Sequence, residues 1–126
     1  MPAIRPGAAG AIITGWGAAL PPKVVTNAEL AQTMDTTDEW IVSRTGIRER
    51  RVGGSTAGLS IESGRQALDR AGVAPEAIDG VVLATTTPDR TVPASAPTVA
   101  HGLGLTCGAF DVNAACSGFV YALVTA

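Results

Sequence analysis

Histidine is almost absent. The chain has one, alongside two cysteines and no Cys-x-x-Cys pair. A structural zinc site is therefore not expected. Cys107 and Cys116 are too few and too far apart in sequence for a disulfide framework. Two reduced thiols suit a cytoplasmic protein. Charge is also sparse, at 16% of residues with a net charge of −2, so neither nucleic acid nor an anionic membrane is indicated as a partner. No apolar stretch is long enough to span a bilayer, and no segment repeats. No P-loop sequence occurs, which leaves no ground for ATP chemistry. Gly15-Trp16-Gly17 lacks the third glycine and the helix-opening context of a dinucleotide fingerprint.

What the chain does have is apolar mass. Of its 126 residues 46% are hydrophobic, yet only 4% are aromatic. That balance implies either a large core or apolar surface reserved for another domain or subunit. The uncharged stretch from Pro6 to Pro22, preceded by Arg5, loosely resembles a signal peptide. Gly7, Gly10, Gly15 and Gly17 interrupt it, and it has no compact Leu-rich center. A buried strand at Ala11–Thr14, then a glycine turn stopped by Leu20-Pro21-Pro22, accounts for it better.

Further along, Thr26-x-x-Glu29 has the form of a capping box and predicts a short helix to about Met34. Thr36-x-x-Glu39 repeats the form and predicts a second helix through Trp40 and Arg44 that stops at Gly46. Arg48 to Gly54 reads as a basic, exposed connector. A third helix is expected from about Ala57 to Ala71, where Gly64, Ala67, Leu68 and Ala71 form one small, packable stripe. Gly72 and Pro75 end it. Val81–Ala84 reads as a strand buried on both faces. Ala94 to Leu103 reads as a helix with Pro97 in its first turn. Ala109–Val112 is another strand, after which Asn113-Ala114-Ala115 turns the chain and Cys116 opens a last helix, still running at Ala126. Strand and helix alternating through short links predict right-handed βαβ crossovers and a mostly parallel sheet, an α/β fold. The apolar last helix has no stop signal, so the chain reads as a domain over residues 1–126 cut within that helix.

The junction from Asp111 to Phe119 carries the chemistry. A thiolate at a helix N-terminus is stabilized by free N–H groups and the helix dipole. The same N–H groups suit the oxyanion formed when a thiolate attacks a thioester. Ala114, Ala115, Ser117 and Gly118 leave room for a substrate chain, and sites in open α/β sheets lie beyond the C-terminal ends of strands. The plainer alternative is a small buried hydrophobe that packs a helix start, and on geometry alone the two weigh about equally. Cys107 has no such context and reads as a core or loop residue.

Trp40 and Arg44 stand at i, i+4 on one helix face. They form either a surface cation–π pair or a nucleotide clamp, with indole on adenine and guanidinium on phosphate. Arg44, Arg48, Arg50 and Arg51 put four of the nine basic residues in one short stretch. This is either a solvated basic turn, in which Arg48 and Glu49 pair, or a positive rim that steers an acidic partner.

The run Asp35-Thr36-Thr37-Asp38-Glu39-Trp40-Ile41-Val42-Ser43-Arg44-Thr45-Gly46-Ile47-Arg48-Glu49-Arg50 closely resembles a signature of β-ketoacyl-acyl-carrier-protein synthase III. So do Gly15-Trp16-Gly17 with Leu20-Pro21, Ala84-Thr85-Thr86, and Phe110-Asp111-Val112 with Ala114-Ala115-Cys116-Ser117-Gly118-Phe119. The resemblance implies a thiolase-like fold: the first βαβαβ-type half of a duplicated, layered α/β/α/β/α architecture, working as a cytoplasmic homodimer without a cofactor. It implies that Cys116 accepts an acyl group from acyl-CoA and passes it to malonyl-acyl-carrier-protein with loss of carbon dioxide, starting a fatty acid. It assigns adenine stacking to Trp40, a coenzyme A contact to Arg44 and a nucleotide hydrogen bond to Thr36. Val92 falls where some relatives carry a bulky aromatic that closes the acyl pocket across the dimer, so longer or more branched primers are expected. The family's His and Asn belong to a second half, and His101 matches no motif. The other readings are a condensing enzyme of secondary metabolism, a thiol redox protein, or an inactive half-site without His and Asn. The redox reading is the weakest, because Cys107 is not placed as a resolving thiol.

Overall fold

Capping side chains start three of the five α-helices in the structure, a computed structural model that describes residues 10–126. The first part of the Pro6–Pro22 stretch lies outside the described residues. Strand β1 (Lys23–Thr26) pairs antiparallel with β2 (Glu49–Val52), Val25 opposite Arg50. Thr26 ends β1 and at once caps α1 (Asn27–Leu30), its Oγ1 accepting from the Glu29 N–H at 3.2 Å. The helix is shorter than expected, and single turns carry the chain on, Met34 N–H bonding to the Leu30 carbonyl at 3.1 Å.

Helix α2 (Asp38–Thr45) is capped by Thr37 rather than Thr36, with Thr37 Oγ1 accepting from the Trp40 N–H at 3.1 Å. Two successive threonines offer the same hydroxyl. The later one places both Asp38 and Glu39 in the first turn, where the helix dipole favors negative charge. Gly46, at φ 72°, ends the helix as expected. The basic connector is in fact β2. Its partner is the β-branched β1, a long-range pairing that local composition does not reveal.

Asn27 ties this part together. It is only 1% exposed, and both of its donor positions and its carbonyl oxygen have partners. Its Nδ2 donates to Asp38 Oδ1 at 2.7 Å and to the Ile47 carbonyl at 2.8 Å, and its Oδ1 accepts from Arg50 Nη1 at 2.7 Å. One amide thus fixes α1, the start of α2, the chain after α2, and β2.

Helix α3 (Thr56–Ala71) begins at Ser55, whose Oγ accepts from the Gly58 N–H at 3.0 Å, and ends at Gly72 with φ 63°. Its small-residue stripe receives the Thr14–Ala18 segment. A Cβ at Gly15 would collide with the Ala67 carbonyl, and one at Gly17 with the Ser63 carbonyl. The Gln66 side chain accepts from Ala18 N–H at 3.3 Å and donates to the Ala18 carbonyl at 2.9 Å. Arg70 donates to the Trp16 carbonyl at 2.5 Å and stacks on the Trp16 ring at 4.2 Å. The expected strand at Ala11–Thr14 does not form. Downstream, the Trp16 and Ala18 backbone bonds to α3 side chains rather than to a ladder, and Ile12 and Ile13 stay largely exposed.

A 3₁₀ turn at Pro75–Ala77 leads to β3 (Gly80–Ala84), which pairs parallel with β4 (Gly108–Val112), Val82 opposite Phe110. Helix α4 (Ala96–Gly102) forms the crossover, with Pro97 in its first turn. Gly64 of α3 faces Leu103, and Gly102 faces Ile61, so small residues let α3 and α4 approach closely. Ala96, Val99, Ala100 and Leu105 form the buried center of this part. The strands are half-buried rather than enclosed on both faces, and Phe110 remains 46% exposed. No helix among the described residues is long and apolar enough to cross a membrane.

Asn27→Ala strands three polar partners at once. It is expected to cost about 2–3 kcal/mol, read as a lowered urea midpoint of the full-length protein at unchanged slope. A loss within experimental error would refute the role given to this amide.

Candidate active site

The chain turns sharply after β4. Ala115 has φ 45°, the only non-glycine residue with positive φ among those described. A left-handed alanine costs roughly 1–2 kcal/mol and persists only where its surroundings enforce it. Cys116 follows within a 3₁₀ turn, Ala115–Ser117, whose Ser117 N–H bonds to the Ala114 carbonyl at 3.0 Å. Helix α5 (Gly118–Thr125) starts two residues later, so Cys116 precedes the helix instead of opening it. Tight 3₁₀ turns are common at such entries. The thiol is exposed there, whereas Cys107 is half-buried, as its reading as a core or loop residue required.

Cys116 lines a cavity of about 510 Å³. One wall is Ala114–Cys116, Gly118 and Phe119 with Val112, and the other is Ala84–Thr87. The cavity lies at the C-terminal ends of both parallel strands, where α/β sheets hold ligands. Small residues on one side and threonines on the other make room for an acyl chain beside the sulfur. The threonine wall was not singled out as a site from sequence. Its signal was a run of hydroxyl residues, Thr85-Thr86-Thr87, just past a strand end.

Hydrogen bonds hold that wall. Thr85 N–H bonds to the Val112 carbonyl at 3.1 Å, and Thr87 N–H to Thr85 Oγ1 at 3.0 Å. Thr56 Oγ1 donates to the Thr87 carbonyl at 2.6 Å. Asp89 accepts from the N–H groups of Thr56 and Ala57 at 2.7 and 2.8 Å, and its own N–H donates to Ser95 Oγ at 3.2 Å. Asp111 accepts from the N–H groups of Ser95 and Ala96 at 2.8 and 2.7 Å.

A second cavity, of about 330 Å³, is lined by Asp35, Thr36, Thr37 and Trp40. Trp40 is 57% exposed, and the Arg44 guanidinium lies 5.8 Å from its ring centroid. Thr36 Oγ1, released from capping duty, is buried without a hydrogen-bond partner. The structure thus brings Thr36, Trp40 and Arg44 together. Val92 is 82% exposed and does not line the Cys116 cavity, and His101 is exposed on α4. The basic stretch is partly structural. Arg50 holds Asn27, and Arg51 rather than Arg48 pairs with Glu49, at 3.6 Å. Strand geometry explains the exchange, since residues i and i+2 share a face.

No protein-family model matches the chain. Curated proteins do. The chain is 58% identical over 120 residues to the β-ketoacyl-[acyl-carrier-protein] synthase III of Erythrobacter litoralis, covering 92% of this chain and 37% of the relative. It is 57% identical over 120 residues to that of Roseiflexus castenholzii, covering 92% and 36%. Among solved structures, the 3-oxoacyl-[acyl-carrier-protein] synthase III of Aquifex aeolicus superposes with a TM-score of 0.88 at 42% identity, over 92% of this chain and 39% of that one. A priming β-ketosynthase of a polyketide pathway gives 0.85 at 39% identity, over 90% and 35%. The chain thus spans little more than a third of the length of these proteins. Its backbone is part of the thiolase-like α/β fold expected from sequence. The relatives of this chain are therefore the β-ketoacyl-[acyl-carrier-protein] synthases III, and it is homologous to their N-terminal part.

Proposed function

We propose that this chain supplies the acyl-loading part of a β-ketoacyl-acyl-carrier-protein synthase III. The observation that carries the reading is an exposed thiol on a strained turn, lining a cavity at the ends of two parallel strands. In the first step the Cys116 thiolate attacks the thioester carbonyl of acyl-CoA. The carbon–sulfur bond to coenzyme A breaks, and coenzyme A departs as thiolate and takes up a proton. In the second step malonyl-acyl-carrier-protein loses carbon dioxide. The resulting enolate attacks the acyl–Cys116 carbonyl, the thiolate is released, and a β-ketoacyl thioester starts a fatty acid. His101 is exposed on α4 and takes no part.

Coenzyme A is the partner that suits the second cavity. An exposed indole offers a stacking face for adenine, and the unpartnered Thr36 hydroxyl needs a hydrogen-bond partner that a nucleotide supplies. Arg44 beside the ring meets phosphate. Val92, exposed on its loop, suits a lid contributed to the neighboring subunit of a homodimer, where its small side chain leaves volume for longer or branched primers. The same reading places the enzyme in the cytoplasm, with no cofactor and with acyl-CoA and acyl carrier protein as partners. The likeness to a priming β-ketosynthase supports a second reading, in which the same loading step feeds a polyketide carrier.

Incubating the full-length protein with acyl-CoA is expected to add one acyl mass on the peptide that contains Cys116, and Cys116→Ala to abolish it. No adduct on the wild-type protein would end the proposal. Removing the stacking face by Trp40→Ala is expected to raise KM for acyl-CoA about tenfold with little change in kcat. An unchanged KM would remove Trp40 from the binding site. Comparing carrier proteins from fatty-acid and polyketide systems as acceptors separates the two readings.

A further inference from the structure

We propose that Asp89 is a positioning residue for the Cys116 cavity, locking the Thr85–Thr87 wall in place and so setting which acyl chains fit. The proposal rests on the acyl-loading reading above.

The threonine wall belongs to the loop between β3 and α4, and only its first residue is tied to the sheet, through Thr85 N–H and the Val112 carbonyl. Beyond it the loop is held by its own Thr85 hydroxyl, by α3 and by Ser95 at the start of α4. The Thr87 carbonyl accepts from Thr56 Oγ1, and two residues on Asp89 takes the backbone N–H groups of Thr56 and Ala57, one on each carboxylate oxygen. These are unpaired donors of a helix's first turn, and a carboxylate accepts both as charge-assisted bonds.

Helix α3 does not need Asp89 in order to begin. Ser55 already caps it through the Gly58 N–H. The carboxylate is therefore surplus to helix initiation, and what it adds is a fixed distance between the loop and α3. The opposite wall is referenced to the same point. Asp89 N–H donates to Ser95 Oγ, Ser95 is 3% exposed, and its N–H donates to Asp111 on β4, the strand that leads to Cys116. Thr87, Thr56, Asp89, Ser95 and Asp111 thus form one chain of contacts that sets the gap between the threonine wall and the thiol. Loosening Asp89 frees the wall without touching the sulfur.

The test uses the full-length enzyme with Asp89→Asn, which keeps the shape but turns one acceptor into a donor facing an N–H, and Asp89→Ala, which removes both. Acyl transfer from acetyl-CoA and from hexanoyl-CoA is measured, together with the rate of Cys116 alkylation by iodoacetamide. The expected result is a shift of about tenfold in the kcat/KM ratio toward hexanoyl-CoA, with the alkylation rate unchanged. If the alanine variant does not fold, the asparagine variant carries the test. Equal losses on both primers, or no change on either, overturn the proposal while leaving the loading reading intact. Alkylation that falls in step with transfer also overturns it, because the thiol and not the wall has then moved. A wild-type enzyme that transfers neither acyl group overturns both.

Discussion

The arrangement around the thiol depends on two carboxylates that each take a pair of backbone N–H groups at a helix start. Asp111 does this for α4 and Asp89 for α3. A helix start is rich in unpaired donors and carries a partial positive charge, so a carboxylate there is held by direction as well as by attraction. Each carboxylate also comes from a different part of the chain than the helix it meets. Asp111 lies on the strand that follows α4, and Asp89 lies some thirty residues beyond the start of α3. Together with buried Ser95 they turn local caps into tertiary links, and the parallel strands, their crossover helix and the threonine wall become one assembly.

The first part of the chain uses an amide for the same purpose. Asn27 can donate twice and accept, and it does both in a site almost closed to water. An aspartate of the same size would lose both donated bonds and set a second carboxylate against Asp38. The two polar hubs serve different cavities. Asn27 ties the β1–β2 ladder to α2, which carries Trp40 and follows Thr36, and Asp89 with Asp111 orient the walls around Cys116.

Elements whose signals are local were legible in the sequence. Thr26 with Glu29, Gly46, Gly72 and Pro97 each act within a few residues, and each marks a boundary the structure keeps. Features that depend on a distant partner were not legible. Strand β2 looks like a basic loop until β1 is set beside it, and the Ala11–Thr14 strand looks sound until Ile12 and Ile13 prove exposed and the following Trp16 and Ala18 bond to α3 side chains. The choice between Thr36 and Thr37 as cap turns on a single residue of register, and pattern alone does not resolve it. The site divides in the same way. Cys116, Trp40, Arg44 and Thr36 stood out by residue type and motif. The threonine wall and its Asp89 tether emerge only when α3 and the loop after β3 are brought together.

The left-handed alanine before the thiol has a consequence for the sulfur itself. Among the described residues no hydrogen bond holds the Cys116 side chain, and the left-handed turn at Ala115 sets the path of the backbone that carries it. A nucleophile oriented by a side-chain partner must break or rearrange that contact as it forms a new bond. One oriented by its own backbone has no such contact to give up. In the acyl-loading role proposed for Cys116, the conformational cost is met once, when the chain folds, and does not recur at each turnover.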